Sequence, residues 1–273
     1  MAMLAVLMCV NFTSCSNGDD GPTEGGGGVI VGGKKLTKTI CKPDKGSATE
    51  TNTFNYDNNG RLIAATIKHA EDGYSSTNTY QFTWGDDAIT ITETSTSESS
   101  NGDNYSNTHI YKLILRNGLV QYEDYDGDDD GDTGNYTYNS SNRFIKFSYE
   151  GYWTVNAIWD GDKLVSASGG GADVTLTYDQ SCSKGYFPFI AAIIKAGRCG
   201  VIYMAHPEIA GMRMTQLPAI TTRSNTDYTG QTESYTSTIT YEFDQEGYIS
   251  KIIEKETDSN GSTETYTYTL TWQ

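Results

Sequence analysis

A mainly β fold is predicted: a long antiparallel meander forming a strongly curved sheet or incomplete barrel, with one short helix over about residues 186–196 covering its concave face. Three observations predict it. Only 36% of the 273 residues are hydrophobic, while 20 tyrosines lift the aromatic share to 12%. That composition suits many short strands that each bury one face, and not a helical bundle. Aromatic and β-branched residues alternate with polar ones along most of the chain, and clusters of Asp, Asn and Gly punctuate the alternation. One segment alone, from Tyr186 to Ala196, is apolar at neither strand period nor strand composition.

The strands come as hairpins from Lys34 onward. Thr53 to Ile63, TFNYDNNGRLI, is the fullest copy, and Tyr241 to Ile249, YEFDQEGYI, repeats it near the end. Looser copies start at Phe82 (FTWGDDAITI), Leu113 (LILRNGLVQY), Tyr136 (YTYNSSNRFIKF) and Ile158 (IWDGDKLVSA). In each, a Gly or Asn able to take positive φ sits between two alternating runs. The copies recur at an irregular spacing of roughly 20 to 30 residues, unlike a strict solenoid or propeller. Alternation and turn signals give about fifteen strands. So long a meander has exposed edges unless it curls or closes. A lipid-embedded barrel would need continuous apolar outward faces. Thr92 to Glu98, TETSTSE, offers solvent faces instead. In the segment YFPFIAAIIKA, Pro188 suits a first helical turn and Gly197 a helix end. Ile190, Ala191, Ile193 and Ile194 make a helix suited to cover the sheet, within a helical or irregular insertion over about 183–216. Met204, Met212 and Met214 within it read as core filler.

Ahead of this domain, residues 34–273, the chain has two other parts. Residues 1–14, MAMLAVLMCVNFTS, hold an uncharged apolar run too short to span a bilayer but fit for a secretory signal. Small residues before Cys15 resemble the lipobox of bacterial lipoproteins, with Phe12 where Leu is usual, as Bacteroidetes-type signals tolerate. The resemblance implies that Cys15 is lipidated and becomes the mature N-terminus. A basic stretch normally precedes such a run, so a start site further upstream is expected. Residues 15–33 read as a flexible tether. Asp19 and Asp20 resemble the signal that sends such lipoproteins to the outer face of the outer membrane. Stable anchoring there would come from more than one acyl chain.

The net charge is −16, from 35 acidic and 19 basic residues. That repels nucleic acid. Beyond Cys9 and Cys15, three cysteines remain, and Cys182 with Cys199 is the first choice for a disulfide because both flank the same apolar segment. No C-x-x-C is present, and His69, His109 and His206 are scattered, which argues against structural zinc.

Asp124 to Gly134, DYDGDDDGDTG, contains the D-x-D-x-D-G spacing by which alternate carboxylates converge on calcium. Thr137 stands where the bidentate Glu of an EF-hand should be, and both flanks alternate like strands. Two readings remain. Asp126, Asp128, Asp130 and Asp132 hold one calcium weakly, at about 10⁻⁴ to 10⁻³ M, or the loop is an unliganded acidic hairpin tip. No other cofactor is indicated.

The Tyr-x-Tyr-Asp-x-x-Gly-Arg-Leu type of turn, as in Phe54 to Leu62 with Phe at the first position, resembles the YD repeats of bacterial surface proteins. Together with the lipobox and the Leu217-Pro218 step, it resembles the Bacteroidetes lipoprotein family known as domain of unknown function 4595. The resemblance implies a porin-like fold and an address on the cell envelope, with no reaction attached. No nucleophile elbow, zinc-protease motif or phosphate loop is present. The expected function is a surface-tethered, non-catalytic module binding glycan or peptide, with Tyr122, Tyr125, Trp153 and Trp159 as candidate ligand platforms. Two alternatives stand beside it. One is an accessory subunit docking on an outer-membrane partner through an exposed strand edge. The other is a glycoside hydrolase using paired carboxylates, for which Glu123 and Asp160 have no better claim than others.

Overall fold

The computed structural model describes residues 33–100, 102, 104–126, 133–149, 153–181, 184–186, 188–194, 200–214, 216–226 and 231–273. Strands follow one another along the chain. The first eight are β1 Leu36–Pro43, β2 Thr49–Tyr56, β3 Leu62–Glu71, β4 Tyr74–Trp84, β5 Ala88–Ser99, β6 Tyr105–Arg116, β7 Leu119–Asp126 and β8 Thr133–Tyr138. The rest are β9 Phe144–Tyr149, β10 Trp153–Asp160, β11 Lys163–Gly169, β12 Ala172–Ser181, β13 Gln216–Thr226, β14 Thr232–Phe243, β15 Ile249–Asp258 and β16 Thr263–Trp272. Each pairs antiparallel with its neighbours in sequence, and β1 pairs with β16 to close a barrel.

Closure overturns the expected open, strongly curved sheet or incomplete barrel. Its physical reason lies at the two ends of the domain. Thr39 to Pro43 faces Leu270 to Tyr266 in unbroken register, so the last strand satisfies the backbone groups that the first would otherwise expose. The expected helix over 186–196 is also corrected. Among the described residues of that range the helix is α1, Ile190–Ile194, and it is followed by α2, Gly200–Ala205, and a 3-10 turn at Pro207–Ala210. This segment does not cover an open concave face. It lies inside the closed barrel, where α1 packs on β11, α2 on β3 and the 3-10 turn on β7.

Sixteen strands enclose a lumen too wide for their own side chains to fill. The insertion fills one end of it. Phe189 packs 5.5 Å from Tyr268, Tyr186 stands edge-on to Trp272, and the His206 ring lies edge-on to Trp84. Polar groups of this plug are bonded to the wall. The Leu62 amide donates to His206 Nε2 at 3.2 Å, and the Phe144 amide to the Gly211 carbonyl at 3.1 Å. Met204, Met212 and Met214 are buried in it.

The repeated hairpin motif builds the wall around this plug. Its Asp or Asn caps the turn: Asp57 Oδ1 accepts from the amides of Asn59 and Arg61, and Asp244 Oδ1 from those of Glu246 and Tyr248. The apolar residue after the turn is fully buried, as at Leu62, Phe144, Leu164 and Ile249. An aromatic residue near the plugged end of most even-numbered strands donates to a main-chain carbonyl at the start of the preceding strand. Tyr56 bonds Leu36, Tyr138 bonds Val120, Tyr178 bonds Leu164 and Tyr241 bonds Pro218. The indoles of Trp84, Trp159 and Trp272 do the same to Leu62, Phe144 and Ile249. One motif therefore carries a turn, a core residue and a lateral tie, and its recurrence makes a bonded girdle at the plugged end.

The outer face is Thr-, Ser-, Lys- and Glu-rich, as Thr92, Thr94 and Thr96 of β5 illustrate. Exposed large apolar residues such as Ile63, Ile110, Ile158 and Phe243 are scattered over it. That is not the continuous apolar band of a lipid-embedded barrel.

Candidate functional site

Strand alternation and cross-strand register sort inner from outer residues. On β6 the inner face runs Leu113, Tyr111, His109, Asn107, Tyr105. Leu113 is fully buried, Tyr111 is 3% exposed, and Tyr105 is 56% exposed. On β4 the inner face likewise passes from buried Phe82 and Tyr80 to exposed Tyr74. The lumen therefore grades from an apolar, plugged end to an open, polar end that solvent enters.

The wall of the open half is lined by carboxylates tied to tyrosines. Glu93 accepts from Tyr80 at 2.8 Å and Tyr111 at 3.2 Å. Deeper, Glu123 is fully buried and accepts from Tyr136 at 2.6 Å, from Tyr203 of α2 at 3.1 Å, and from Tyr125. Burial first, then the Glu123 charge, pushes the Tyr136 hydroxyl well above its ordinary value, so it remains a donor. This cluster is the floor of the open half, because Tyr203 belongs to the plug.

A second acidic wall runs from β13 through β16 to β1 and β2. Tyr235 donates to Glu233 at 2.5 Å, Tyr266 to Glu264 at 2.8 Å and Tyr268 to Glu254 at 3.2 Å. Arg223 pairs with Glu256 at 3.2 Å and lies over the Tyr235 ring. Asn52 donates to Thr39 at 2.9 Å and to Glu50 at 3.1 Å. Cys41 sits among these groups, and burial, with Glu50 and Glu254 adding repulsion, pushes its thiol up to about 12. It stays a protonated thiol, a poor nucleophile.

Glu254 is 2% exposed. Burial, opposed by the Ser237 bond and reinforced by the Glu256 charge, raises its pKa from 4.5 to about 7. The native state thus holds this proton more tightly than the unfolded chain does. The stability it contributes is complete below pH 4.5 and is lost as pH rises through about 7. Glu254→Gln is expected to stabilise the protein by about 3 kcal/mol at pH 8 and to change little at pH 4. Thermal melts of both proteins across that range check it.

The residues singled out from sequence do not meet as one platform. Tyr125 and Trp153 face the open half, Tyr125 at 8% exposure and Trp153 half-buried against Phe147. Tyr122, three residues from Tyr125, is on the outer face. Trp159 belongs to the girdle at the plugged end, its indole bonded to Phe144 and its ring under Arg143. Glu123 and Asp160 are no catalytic pair: the first is buried in the lumen, the second exposed beside the β10–β11 turn. Cys15, Cys182, Cys199, Asp128, Asp130 and Asp132 lie outside the described residues, as does the side chain of Asp126. The β7 and β8 ends flanking the acidic loop are at the open end of the barrel. Among the described residues, no three His, Cys, Asp or Glu side chains converge on a metal position. The β13–β16 glutamates, Arg223 and Asn52 were not singled out from sequence. Their signal is the shared inner parity of Glu254 and Glu256 on β15, which becomes readable once the barrel's inner face is known.

No family model matches the chain, and no curated protein does. Solved structures do match. One is of a porin-like protein from Bacteroides uniformis ATCC 8492, with TM-score 0.61 and 17% identity, covering 87% of this chain and 96% of that one. Another is of a porin-like protein from Bacteroides vulgatus ATCC 8482, with TM-score 0.51 and 12% identity, covering 88% and 99%. At such identities the likeness is one of fold, and in fold the chain is similar to these porin-like proteins over nearly all of its described length.

Proposed function

We propose that this chain is a non-catalytic binding barrel of the bacterial cell envelope, tethered to the outer membrane through lipidated Cys15, and that a glycan or peptide ligand enters its lumen from the open end. The gradient of exposure along the inner face carries this reading, since a plug at one end and polar, solvent-reached walls at the other make a pocket and not a channel. The place where β1 begins supports it. β1 starts at the plugged end, where Lys35 exchanges backbone bonds with Gln273, so a tether would hold the open end away from the membrane. Weak calcium binding by Asp126, Asp128, Asp130 and Asp132 belongs to the same proposal, and the strands that flank this stretch, β7 and β8, meet it at the open end.

Filling the lumen tests the reading. Ser95 is on the inner face of β5 and Thr96 on the outer. Ser95→Trp is expected to abolish binding on glycan and peptide arrays, with Thr96→Trp unchanged and both proteins melting normally. Equal binding by the two variants would place the site elsewhere. The accessory-subunit reading loses its strand-edge route, because closure pairs both β1 and β16 on each side.

A further inference from the structure

The wall from β13 to β2 holds an arrangement that folding alone would not favour. Glu256 and Glu264 are direct cross-strand partners on the inner face, a like-charge pair that destabilises a sheet. Glu254, Glu233 and Glu50 share this wall, and Arg223 is the one cation among its described inner-face residues. An acidic cluster alone could be merely solvated. A separate feature points to a ligand. Among the described residues, the buried side-chain atoms without a hydrogen-bond partner are Asn52 Oδ1, Arg223 Nε and Asn225 Oδ1. All three belong to this same wall: Arg223 and Asn225 lie toward its open end, and Asn52 lies deeper, level with Thr39 and Leu270. Asn52 is 2% exposed, and its amide nitrogen is held on Glu50 and Thr39, which leaves its carbonyl oxygen as an unanswered acceptor beside the carboxylates. Buried acceptors are rarely left so.

The unanswered groups are mostly acceptors and the surplus charge is negative, so the missing partner is a donor that carries positive charge. A neutral sugar could answer Asn52 but not the Glu256–Glu264 repulsion. A point-like metal ion does not suit acceptors spread over several strands, and no three of these groups converge. An elongated amine suits both, and the rings of Tyr235 and Tyr266 along the wall add faces for alkylammonium groups. We infer that this wall is a subsite for an alkylammonium ligand, of the kind presented by a free polyamine or by lysine side chains, held by Glu256, Glu264 and Glu254 with Asn52 Oδ1 accepting from its terminal N–H. The inference rests on the lumen being the binding site, as proposed above.

Isothermal titration of the full chain with spermidine and with tri-lysine, at low ionic strength and pH about 8, tests it. Each probe should bind, and the tighter of the two identifies the source as free polyamine or peptide. Glu256→Gln/Glu264→Gln should weaken binding by about tenfold or more, as should Asn52→Leu, since charge-assisted bonds are lost. Glu98→Gln/Glu242→Gln, on the outer face, should bind as the parent does. Equal weakening by the inner and outer pairs, or equal displacement by magnesium, would reduce the binding to diffuse attraction to an acidic surface and overturn the inference. A neutral oligosaccharide that binds, is blocked by Ser95→Trp and ignores the inner glutamine pair would overturn the amine while leaving the lumen as the site. Absence of binding by every probe would overturn both. Thermal melts and a second inner pair, Glu50→Gln/Glu256→Gln, guard against a variant that fails only by misfolding.

Discussion

Glu123→Ala is expected to cost about 4 to 5 kcal/mol of stability, the largest loss from any single carboxylate here. Glu123 is fully buried and takes bonds from Tyr125, Tyr136 and Tyr203. Removing the acceptor strands several buried hydroxyls at once, each costing about 1 to 3 kcal/mol when left unsatisfied. Tyr203 and Tyr136 can still bond one another at 2.9 Å, which limits the loss. The cavity left by the side chain adds to it. Because Tyr203 comes from α2 and the other two from the wall, the same change loosens the plug. A fall in melting temperature of about 10 °C is expected. Glu123→Gln, which keeps one carbonyl oxygen, should lose clearly less. Equal losses for the two variants would mean that shape, and not the set of tyrosine donors, is what Glu123 supplies.

This cluster shows what the sequence makes legible and what it hides. The hairpin motif is local: Tyr56, Asp57, Gly60 and Leu62 lie within seven consecutive residues, and their roles as tie, cap, turn and core follow from that spacing. Closure is not local. It depends on Thr39 meeting Leu270 across the length of the domain, and nothing in either strand alone announces the other. The site is hidden for a further reason. Inner and outer faces can be read from alternation only while the alternation is unbroken, yet register shifts occur beside the turns, at Tyr56, Leu115, Tyr138, Trp159 and Phe243. Each such bulge moves the strand's parity by one residue. On β15, Ile249 and Ile252 both face inward although three residues apart. Counting from Ile249 therefore assigns Glu254 and Glu256 to the wrong face. Tyr122 and Tyr125 are a different case: the register is unbroken between them, and plain alternation over three residues puts them on opposite sides of the wall.

Gly211→Ala is expected to unseat the plug, at a cost of about 4 kcal/mol. Gly211 follows the 3-10 turn with φ of 62°, a left-handed conformation that costs an L-residue about 1 to 2 kcal/mol. Space is the greater obstacle. A methyl group there would stand 2.3 Å from the Asn142 carbonyl oxygen and 2.9 Å from the Phe144 nitrogen. Both are backbone atoms of the β8–β9 turn, where Asn142 is itself held at positive φ, so neither can swing aside as a flexible side chain would. The Phe144 amide bond to the Gly211 carbonyl fixes the two segments at this distance. Relief must therefore come from the plug moving away from the wall, which breaks that bond and exposes buried Met212 and Ile209. Hydrogen exchange should report it selectively: amides of Val201 to Met214 lose protection while those of the β4–β5 and β14–β15 ladders keep theirs. Uniform loss across the barrel would mean that plug and wall fold as one cooperative unit. In that case the apolar filling at one end is as necessary to the closed sheet as the β1–β16 seam.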